Sequence, residues 1–439
     1  MMEYHPSIVS WNVTSACNLR CPHCYIDAGR RRPSELSTEE GLRLIDQMAE
    51  AGTELLILTG GEPLLRKDLP VLARRATAKG IAVVLGTTGT LINRERAREL
   101  KASGVAAAGI SIDSVDEAKH DAFRGIPGAW QRAVRGIRAC REEGLDVLVH
   151  TTALKMNRRQ IPALVDFAYD KEARAFHLFF LVCTGRGERL TDLSPQEYES
   201  LLHLVLDIQE RYPNMMVRAR CAPYIGRLAM ERGVSAVGSA GCLAGTSYCR
   251  ITPTGDVTPC PYLPTPAGNV RTQGFGQLWQ GSPVLARFRL PQRRLQGKCG
   301  ECPLSQGDNP ICVGCRARAL ALAGDEMAAD PWCLYEPGRG SGSPEKEATP
   351  RREKKPATQV SIPWAEDALK RVQHVPFFIR GRVKQSAEAF VRREGLPEVT
   401  TEVLSHLRQK TYGKAMPGHA GGECPVRPSD AKGKRQNGQ

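Results

Sequence analysis

The stretch Ser7–Cys24, SIVSWNVTSACNLRCPHC, decides how the rest of the chain is read. Its first half, SIVSWNV, is apolar and β-prone; its second half sets Cys17, Cys21 and Cys24 at C-x3-C-x2-C spacing on what must be a loop. Three thiolates on a short loop can hold three irons of a 4Fe-4S cluster and leave the fourth iron without a protein ligand, open for chemistry. A zinc knuckle is the competing reading, although zinc normally takes four closed ligands from two cysteine pairs and this loop offers three cysteines plus His23. Three unrelated core cysteines are the other.

Outward from that stretch, one theme repeats as far as about Gly185: a short β-branched run, then a helical stretch. Strands are expected at SIVSWNV, ELLILTG (54–60), AVVLGTT (82–88), AAGISID (107–113), LDVLVHTT (145–152) and AFHLFFLV (175–182). The spacers are amphipathic, as in TEEGLRLIDQMAEAG, where Leu42, Ile45 and Met48 recur at helical spacing. Six alternating units predict a parallel sheet flanked by helices, doubly wound or a partial barrel. Ligands of such folds gather at the C-terminal strand ends, and the marked motifs all fall there. The cysteine loop follows the first strand, GGEP the second, the Thr87–Thr90 turn the third, and SID ends the fourth.

C-x3-C-x2-C followed by an aromatic, here Tyr25, resembles the signature of the radical S-adenosylmethionine (radical SAM) enzymes. The resemblance implies a partial (β/α)6 barrel of the TIM type and a cluster on Cys17, Cys21 and Cys24 whose fourth iron is chelated by SAM. An electron from that cluster would split SAM into methionine and a 5'-deoxyadenosyl radical. The family also carries a GGE motif after its second strand, matched by LTGGEPLL. Gly60, Gly61, Glu62 and Pro63 would meet SAM there, with Glu62 accepting from its ammonium. Ser111 and Asp113 of GISID stand where the family binds the ribose or methionine end, and Arg124 would pair with the SAM carboxylate or lie on the surface. No catalytic acid or base stands out.

Eight further cysteines lie between Cys242 and Cys333, enough for two closed tetrathiolate sites of zinc or iron-sulfur type. The run CLAGTSYCRITPTGDVTPC, then CGEC, CVGC and PWC, is similar to the SPASM extension of radical SAM enzymes, which holds auxiliary 4Fe-4S clusters that can take the electron left over from the reaction. By that resemblance Cys242, Cys249, Cys260 and Cys315 would hold one cluster and Cys299, Cys302, Cys312 and Cys333 the other. The nine residues between Cys302 and Cys312 depart from the pattern and loosen the assignment of cysteine to cluster. Of the rest, Cys140 reads as buried packing, Cys183 ends the sixth strand and stays open, and Cys221 and Cys424 fall outside every pattern.

The chain has 439 residues, 15 cysteines and a formal charge of +14. No apolar run reaches the length of a membrane span, and the start MMEYHPSIVSW lacks a signal-peptide pattern. A cytoplasmic protein is expected, in a compartment that keeps thiols reduced and favours metal ligation over disulfides. From Gly338 onward there are 20 Lys and Arg against 11 Asp and Glu, so +9 of the excess lies in that part. The runs RREKK (351–355) and KGKR (432–435) read as solvated basic tails. The expected organisation is a radical SAM core over 6–190, the auxiliary-cluster domain over 191–337, a linker over 338–360, a small all-α domain over 361–412 and a disordered tail over 413–439.

The stretches FHLFFLVCTGRG and CRARALALAGDEMAADPWC look most like radical SAM enzymes of haem and haem d1 biosynthesis. The segment from Trp364 resembles the helical domain that ends the B subunit of light-independent protochlorophyllide reductase. Both imply a tetrapyrrole substrate, with reduced ferredoxin or flavodoxin as electron donor. Arg371, Arg380, Arg382, Arg392 and Arg393 would suit its carboxylates, or form a solvated helix face. A peptide maturase is the enzymatic alternative, although such enzymes usually carry an N-terminal peptide-binding domain and here the core starts within about ten residues of Met1. A nucleic-acid-binding iron-sulfur protein is the non-enzymatic one, and with 6% aromatic residues no stacking platform is evident. Neither membrane nor nucleic acid is expected as a partner.

Overall fold

The computed structural model describes residues 4–190, 193–212, 214–234, 241–289, 294–307, 310–337, 362–373 and, between 383 and 412, all but 385, 386, 389 and 393. The chain forms two units, Met1–Thr349 and Pro350–Gln439. The expected linker at 338–360 and tail at 413–439, with His419 and Cys424, lie outside the described residues.

In the first unit the six expected strands form within two residues of their anticipated ends: β1 (Ile8–Asn12), β2 (Leu55–Thr59), β3 (Ala82–Thr87), β4 (Val105–Ser111), β5 (Asp146–Ala153) and β6 (Ala175–Phe180). They pair in sequence order, all parallel. The crossovers are α1 (Thr38–Glu50), α2 (Leu69–Ala78), α3 (Arg94–Ala102), α4 (Glu117–Arg124), α5 (Ala129–Glu142) and α6 (Ile161–Asp170). α1 starts at a reciprocal cap, in which the Ser37 hydroxyl accepts from Glu40 N and the Glu40 carboxylate accepts from Ser37 N. Its core face is Gly41, Leu44, Ile45 and Met48. Leu42, expected on that face, is half-buried at its edge. Each fully buried side chain of this kind stabilises the fold by about 1.5–3 kcal/mol.

Four strands were not anticipated. β7 (Met216–Arg220) adds parallel to β6, after the 17-residue helix α7 (Pro195–Arg211). At the other edge β8 (Tyr248–Ile251) lies parallel to β1, and β9 (Asp256–Thr258) and β10 (Gly268–Asn269) continue antiparallel. The result is one open sheet in the order β10-β9-β8-β1-β2-β3-β4-β5-β6-β7. The cysteine-rich segment is therefore stitched into the main sheet through β8.

Alternation along the strands separates two faces. In β3 and β5 one face, with Val83, Leu85, Val147 and Val149, packs under the helices; the other, with Gly86, His150 and Thr152, is only half-buried. That second face lines the space enclosed by the curving sheet. Among the described residues no helix is long and apolar enough to cross a membrane.

The second unit has its own small core of Ala368, Ala387, Val391, Val399, Val403 and Leu404. It contains helices at Glu366–Gln373 and Thr401–Tyr412, within the segment read as a small all-α domain, the latter opened by the Thr400 hydroxyl accepting from Val403 N. Arg371, read as a contact for substrate carboxylates or as part of a solvated face, donates to Thr401 O and Ser405 Oγ and ties these helices together. Arg392 is exposed, and Arg380, Arg382 and Arg393 lie outside the described residues.

Candidate active site

The cysteine loop leaves the C-terminal end of β1 and is fixed before it reaches its thiols. Glu35, buried, accepts from Ser15 N at 2.8 Å, Ser15 Oγ at 2.6 Å, Thr14 Oγ1 at 3.2 Å and Arg32 N at 3.1 Å. Burial raises its pKa, but these donors outweigh it and hold the carboxyl below its usual value. On the far side Arg186, just after β6, donates to Cys21 O at 3.1 Å and Ala28 O at 2.9 Å, while its own N–H reaches Cys24 O. Sequence reasoning missed both residues. Arg186 had a signal in the GRG of CTGRG; Glu35, in RRRPSELS, had none.

Each of the three sulfurs receives one N–H donor: Cys17 from Leu19 N at 3.4 Å, Cys24 from Ala28 N at 3.4 Å and Cys21 from Arg124 Nη1 at 3.7 Å. Donors aimed at sulfur are the outer shell that stabilises cluster thiolates, so the loop fits the group its spacing suggests. Among the described residues no three His, Cys, Asp or Glu side chains converge on the site of a single ion. Thiolates around one zinc sit about 3.8 Å apart, whereas a four-iron cluster takes its ligands from farther apart. His23 stacks on Phe123 with 4.5 Å between ring centroids, and burial lowers its pKa to about 4.

The GGE loop packs beneath this one. A Cβ on Gly60 would stand 2.4 Å from Thr14 O, in a backbone at φ +150°, and one on Gly61 2.1 Å from Ala16 O. These glycines let two loops touch each other, a requirement beside the approach to a ligand for which the sequence singled them out. Glu62 is fully buried, and its carboxylate accepts from Leu64 N at 3.2 Å, Thr87 Oγ1 at 2.7 Å, Thr88 N at 2.8 Å and Thr88 Oγ1 at 2.7 Å. A carboxylate has about four acceptor positions. All four of Glu62 are taken by the chain itself.

Asp113 is also fully buried and pairs with Arg124 at 2.5 Å, so Arg124 is no surface arginine. Pro63 is buried at the start of a short 3-10 turn. Of the residues expected to meet SAM, Tyr25, Gly60, Gly61 and Ser111 keep partial exposure. Tyr25 accepts from Asn12 Nδ2 at 2.9 Å and meets Tyr262 edge-on at 5.3 Å, which joins the loop to the cysteine-rich segment.

Across the enclosed face the register aligns Ser111, His150, His177 and Arg218 on β4 to β7, with Arg220 one step further along beside Phe179. His150 stacks on His177 at 5.1 Å, in room left by Gly109, whose Cβ would fall 2.2 Å from the imidazole. Burial, then the positive charge of Arg220, lowers the His150 pKa to about 3, and His177 is lowered likewise by burial. Arg124, which touches Cys21, also acts on His150, so this row borders the cysteine loop. The row can present neutral imidazoles and guanidinium groups to a ligand, a chemistry that suits a metal centre and carboxylates.

The second cysteine field resolves into two groups. Cys299, Cys302, Cys312 and Cys333 line one small cavity together with Lys298, Ser305, Gly314 and Tyr335. Here too the sulfurs meet donors, Cys312 from Gly314 N at 3.4 Å and Cys299 from Asp330 N at 3.4 Å and Arg316 Nη2 at 3.6 Å. Cys242, Cys260 and Cys315 share a separate small core. Cys249 does not join them: it is fully buried in β8 within the main core. The grouping read from the sequence had placed it with them. Cys140 is fully buried packing, its thiol pushed up to about 12 by burial. The Cys183 thiol donates to Leu190 O and packs with Leu154, Leu181 and Phe123, the ring on which His23 of the cysteine loop stacks.

Comparison with known proteins places these features. The model of the radical SAM superfamily matches residues 11–168, that of the SPASM iron-sulfur cluster-binding domain 242–303, and that of the proto-chlorophyllide reductase 57 kD subunit 364–408. The AdoMet-dependent heme synthase of Methanosarcina barkeri is 39% identical over 352 residues, covering 77% of this chain and 99% of that one. The Fe-coproporphyrin III synthase of the same organism is 32% identical over 363 residues, covering 74% and 87%. In three dimensions the chain is similar to Streptococcus suis SuiB bound to S-adenosylmethionine, with TM-score 0.62, 19% identity and coverage of 76% and 78%. That likeness concerns the fold.

Proposed function

The chain belongs to the radical SAM family, and from that membership, with AdoMet-dependent haem synthases among its relatives, we propose that it modifies a side chain of an iron tetrapyrrole. Cys17, Cys21 and Cys24 would hold the SAM-binding cluster, which when loaded supplies the electron that cleaves SAM to a 5'-deoxyadenosyl radical. Around it Glu35 and Arg186 hold the loop, and the Glu62 carboxylate braces the Thr87–Thr88 turn beside it. SAM would be met at the exposed part of this strand-end rim, by the Gly60 and Gly61 backbone, Tyr25 and Ser111. Asp113 and Arg124 act from beneath, as a buried pair that orients Cys21.

The observation that carries the substrate class is the row of His150, His177, Arg218 and Arg220 on the enclosed face. Guanidinium groups pair with carboxylates in a two-pronged way, and tetrapyrroles of this class carry several. Imidazoles kept neutral by burial are suited to an iron centre. The remaining parts of the reading are reduced ferredoxin or flavodoxin as electron donor, a cytoplasmic setting, and a C-terminal unit that serves tetrapyrrole handling.

The experiment is an optical titration of the anaerobically reconstituted protein with iron coproporphyrin, following the Soret band. Saturable binding is expected, and Arg220→Leu, which removes a charge-assisted contact worth about 1.5–3 kcal/mol, should weaken it roughly 10- to 100-fold. Equal affinity in Arg220→Leu and wild type would remove the row from the substrate site.

A further inference from the structure

Strand alternation decides which cysteines can meet. β8 runs beside β1 with Tyr248 opposite Ile8, Cys249 opposite Val9 and Ile251 opposite Trp11. Cys249 and Ile251 therefore share the helix-covered face with Val9 and Trp11, all fully buried in the main core. Tyr248 and Arg250 occupy the opposite face. For Cys249 to reach Cys242, Cys260 and Cys315, β8 would have to slip by one residue and turn its apolar side outward. Among the described residues the charged neighbour that acts on it is Arg289.

Another thiol fills the gap. Cys221 follows directly on the end of β7 and packs in the same small core as Cys242, Cys260 and Cys315. The thiols of Cys221, Cys242 and Cys315 are all close enough to act on Cys260. Cys221 adopts φ +59°, a left-handed backbone that a non-glycine residue seldom takes. It is held there by its carbonyl, which accepts from Tyr198 OH at 3.0 Å and Arg318 Nη2 at 3.0 Å. Arg318 also pairs with Asp330 at 3.0 Å, and Asp330 Oδ2 accepts from Cys315 N at 2.8 Å. One buried pair thus fixes Cys221 and Cys315 relative to each other.

We propose that Cys221, with Cys242, Cys260 and Cys315, holds an auxiliary 4Fe-4S cluster, and that Cys249 is a packing residue. Cys221 lies ahead of the segment that matches the SPASM model, which starts at residue 242. Each thiol gives up its proton on binding iron, so the site is four thiolates around one cluster. The inference rests on this chain holding auxiliary clusters and is independent of what the substrate is.

The test is iron and sulfide content together with the EPR spectrum of the reduced protein, for full-length wild type, Cys221→Gly, Cys221→Ser and Cys249→Ala. Glycine suits φ +59° and removes the CH2–SH side chain without straining the backbone. Wild type and Cys249→Ala should both hold about 12 irons, and Cys221→Gly about 8, or else a three-iron signal in place of one cluster. Cys221→Ser, which keeps the volume and offers oxygen, should keep its iron but shift one cluster's EPR signal. Full iron and an unchanged spectrum in both Cys221 variants would overturn the proposal, as would the loss of a cluster in Cys249→Ala. Neither readout uses a porphyrin, so a failure here is distinct from a failure of the tetrapyrrole reading.

Discussion

Arg318 and Asp330 form an ion pair of 3.0 Å with both side chains withdrawn from solvent, and this pair joins the two groups of auxiliary cysteines. Its guanidinium end lies between Tyr198 and Trp332, at 4.8 and 4.7 Å from their rings, and holds Cys221 O. Its carboxylate end holds Cys315 N, while the Asp330 backbone N–H reaches Cys299 Sγ. Removing one partner of a buried pair leaves the other charge unmatched, at a cost of about 3–5 kcal/mol. Arg318→Met should therefore lower the unfolding midpoint in urea and deplete iron from both auxiliary groups, with the N-terminal cluster retained. Iron analysis showing loss from neither group would separate the pair from cluster assembly.

Glu62 acts in the structure through Thr87 and Thr88, with no acceptor position left for a ligand. Glu62→Gln and Thr88→Val should consequently have the same phenotype: normal iron content, stability lower by about 1–3 kcal/mol, and weaker SAM binding because the turn loosens. Equilibrium dialysis with SAM distinguishes this from direct contact. If Glu62 met the SAM ammonium itself, Glu62→Gln would weaken binding and Thr88→Val would leave it unchanged.

His120 is buried and keeps Nδ1 as acceptor for Asp113 N at 3.2 Å; burial lowers its pKa to about 4. Its folded pKa lies below the unfolded value of about 6.5, so the unfolded chain binds the proton first as pH falls. The stabilisation from a neutral His120 is present above about pH 6.5 and is lost between about 6.5 and 4, at up to about 1.4 kcal/mol per pH unit. His177 adds to the loss in the same direction. Urea midpoints at pH 7.5, 6.0 and 5.0 should fall more steeply for wild type than for His120→Gln. Parallel curves would contradict the assignment of a neutral imidazole.

The strands β1 to β6 were legible because each is a β-branched run set off by an amphipathic helix. β7 was not, because MVRAR carries two arginines that hide its apolar side, and β8 was not, because YCRI lies among Cys, Pro and Gly and its parallel partner β1 is far away in sequence. The burial of Cys249 in the main core was hidden by that second miss: without a strand at Tyr248–Ile251 there is no alternation to turn its thiol toward the core. The cysteine loop was legible as a motif, but its supports were not. Glu35 reads as a solvated charge in a basic loop, and only the fold brings Ser15 and Thr14 to it.

The C-terminal unit has a core separate from that of the first unit. Deleting residues 361–439 should leave a folded protein with all its iron that still cleaves SAM slowly without substrate, while turnover of an iron porphyrin falls. Unchanged porphyrin affinity and turnover after the deletion would take the unit out of tetrapyrrole handling.

Mass spectrometry can show whether the radical made at this site acts on a tetrapyrrole. Full-length reconstituted protein is incubated anaerobically with SAM, dithionite and iron coproporphyrin, and 5'-deoxyadenosine and the porphyrin are measured together. Action on the tetrapyrrole predicts that the porphyrin accelerates 5'-deoxyadenosine formation and changes in mass at its side chains in proportion to it. Deoxyadenosine formed at the same rate with and without porphyrin, with the porphyrin mass unchanged, would contradict it.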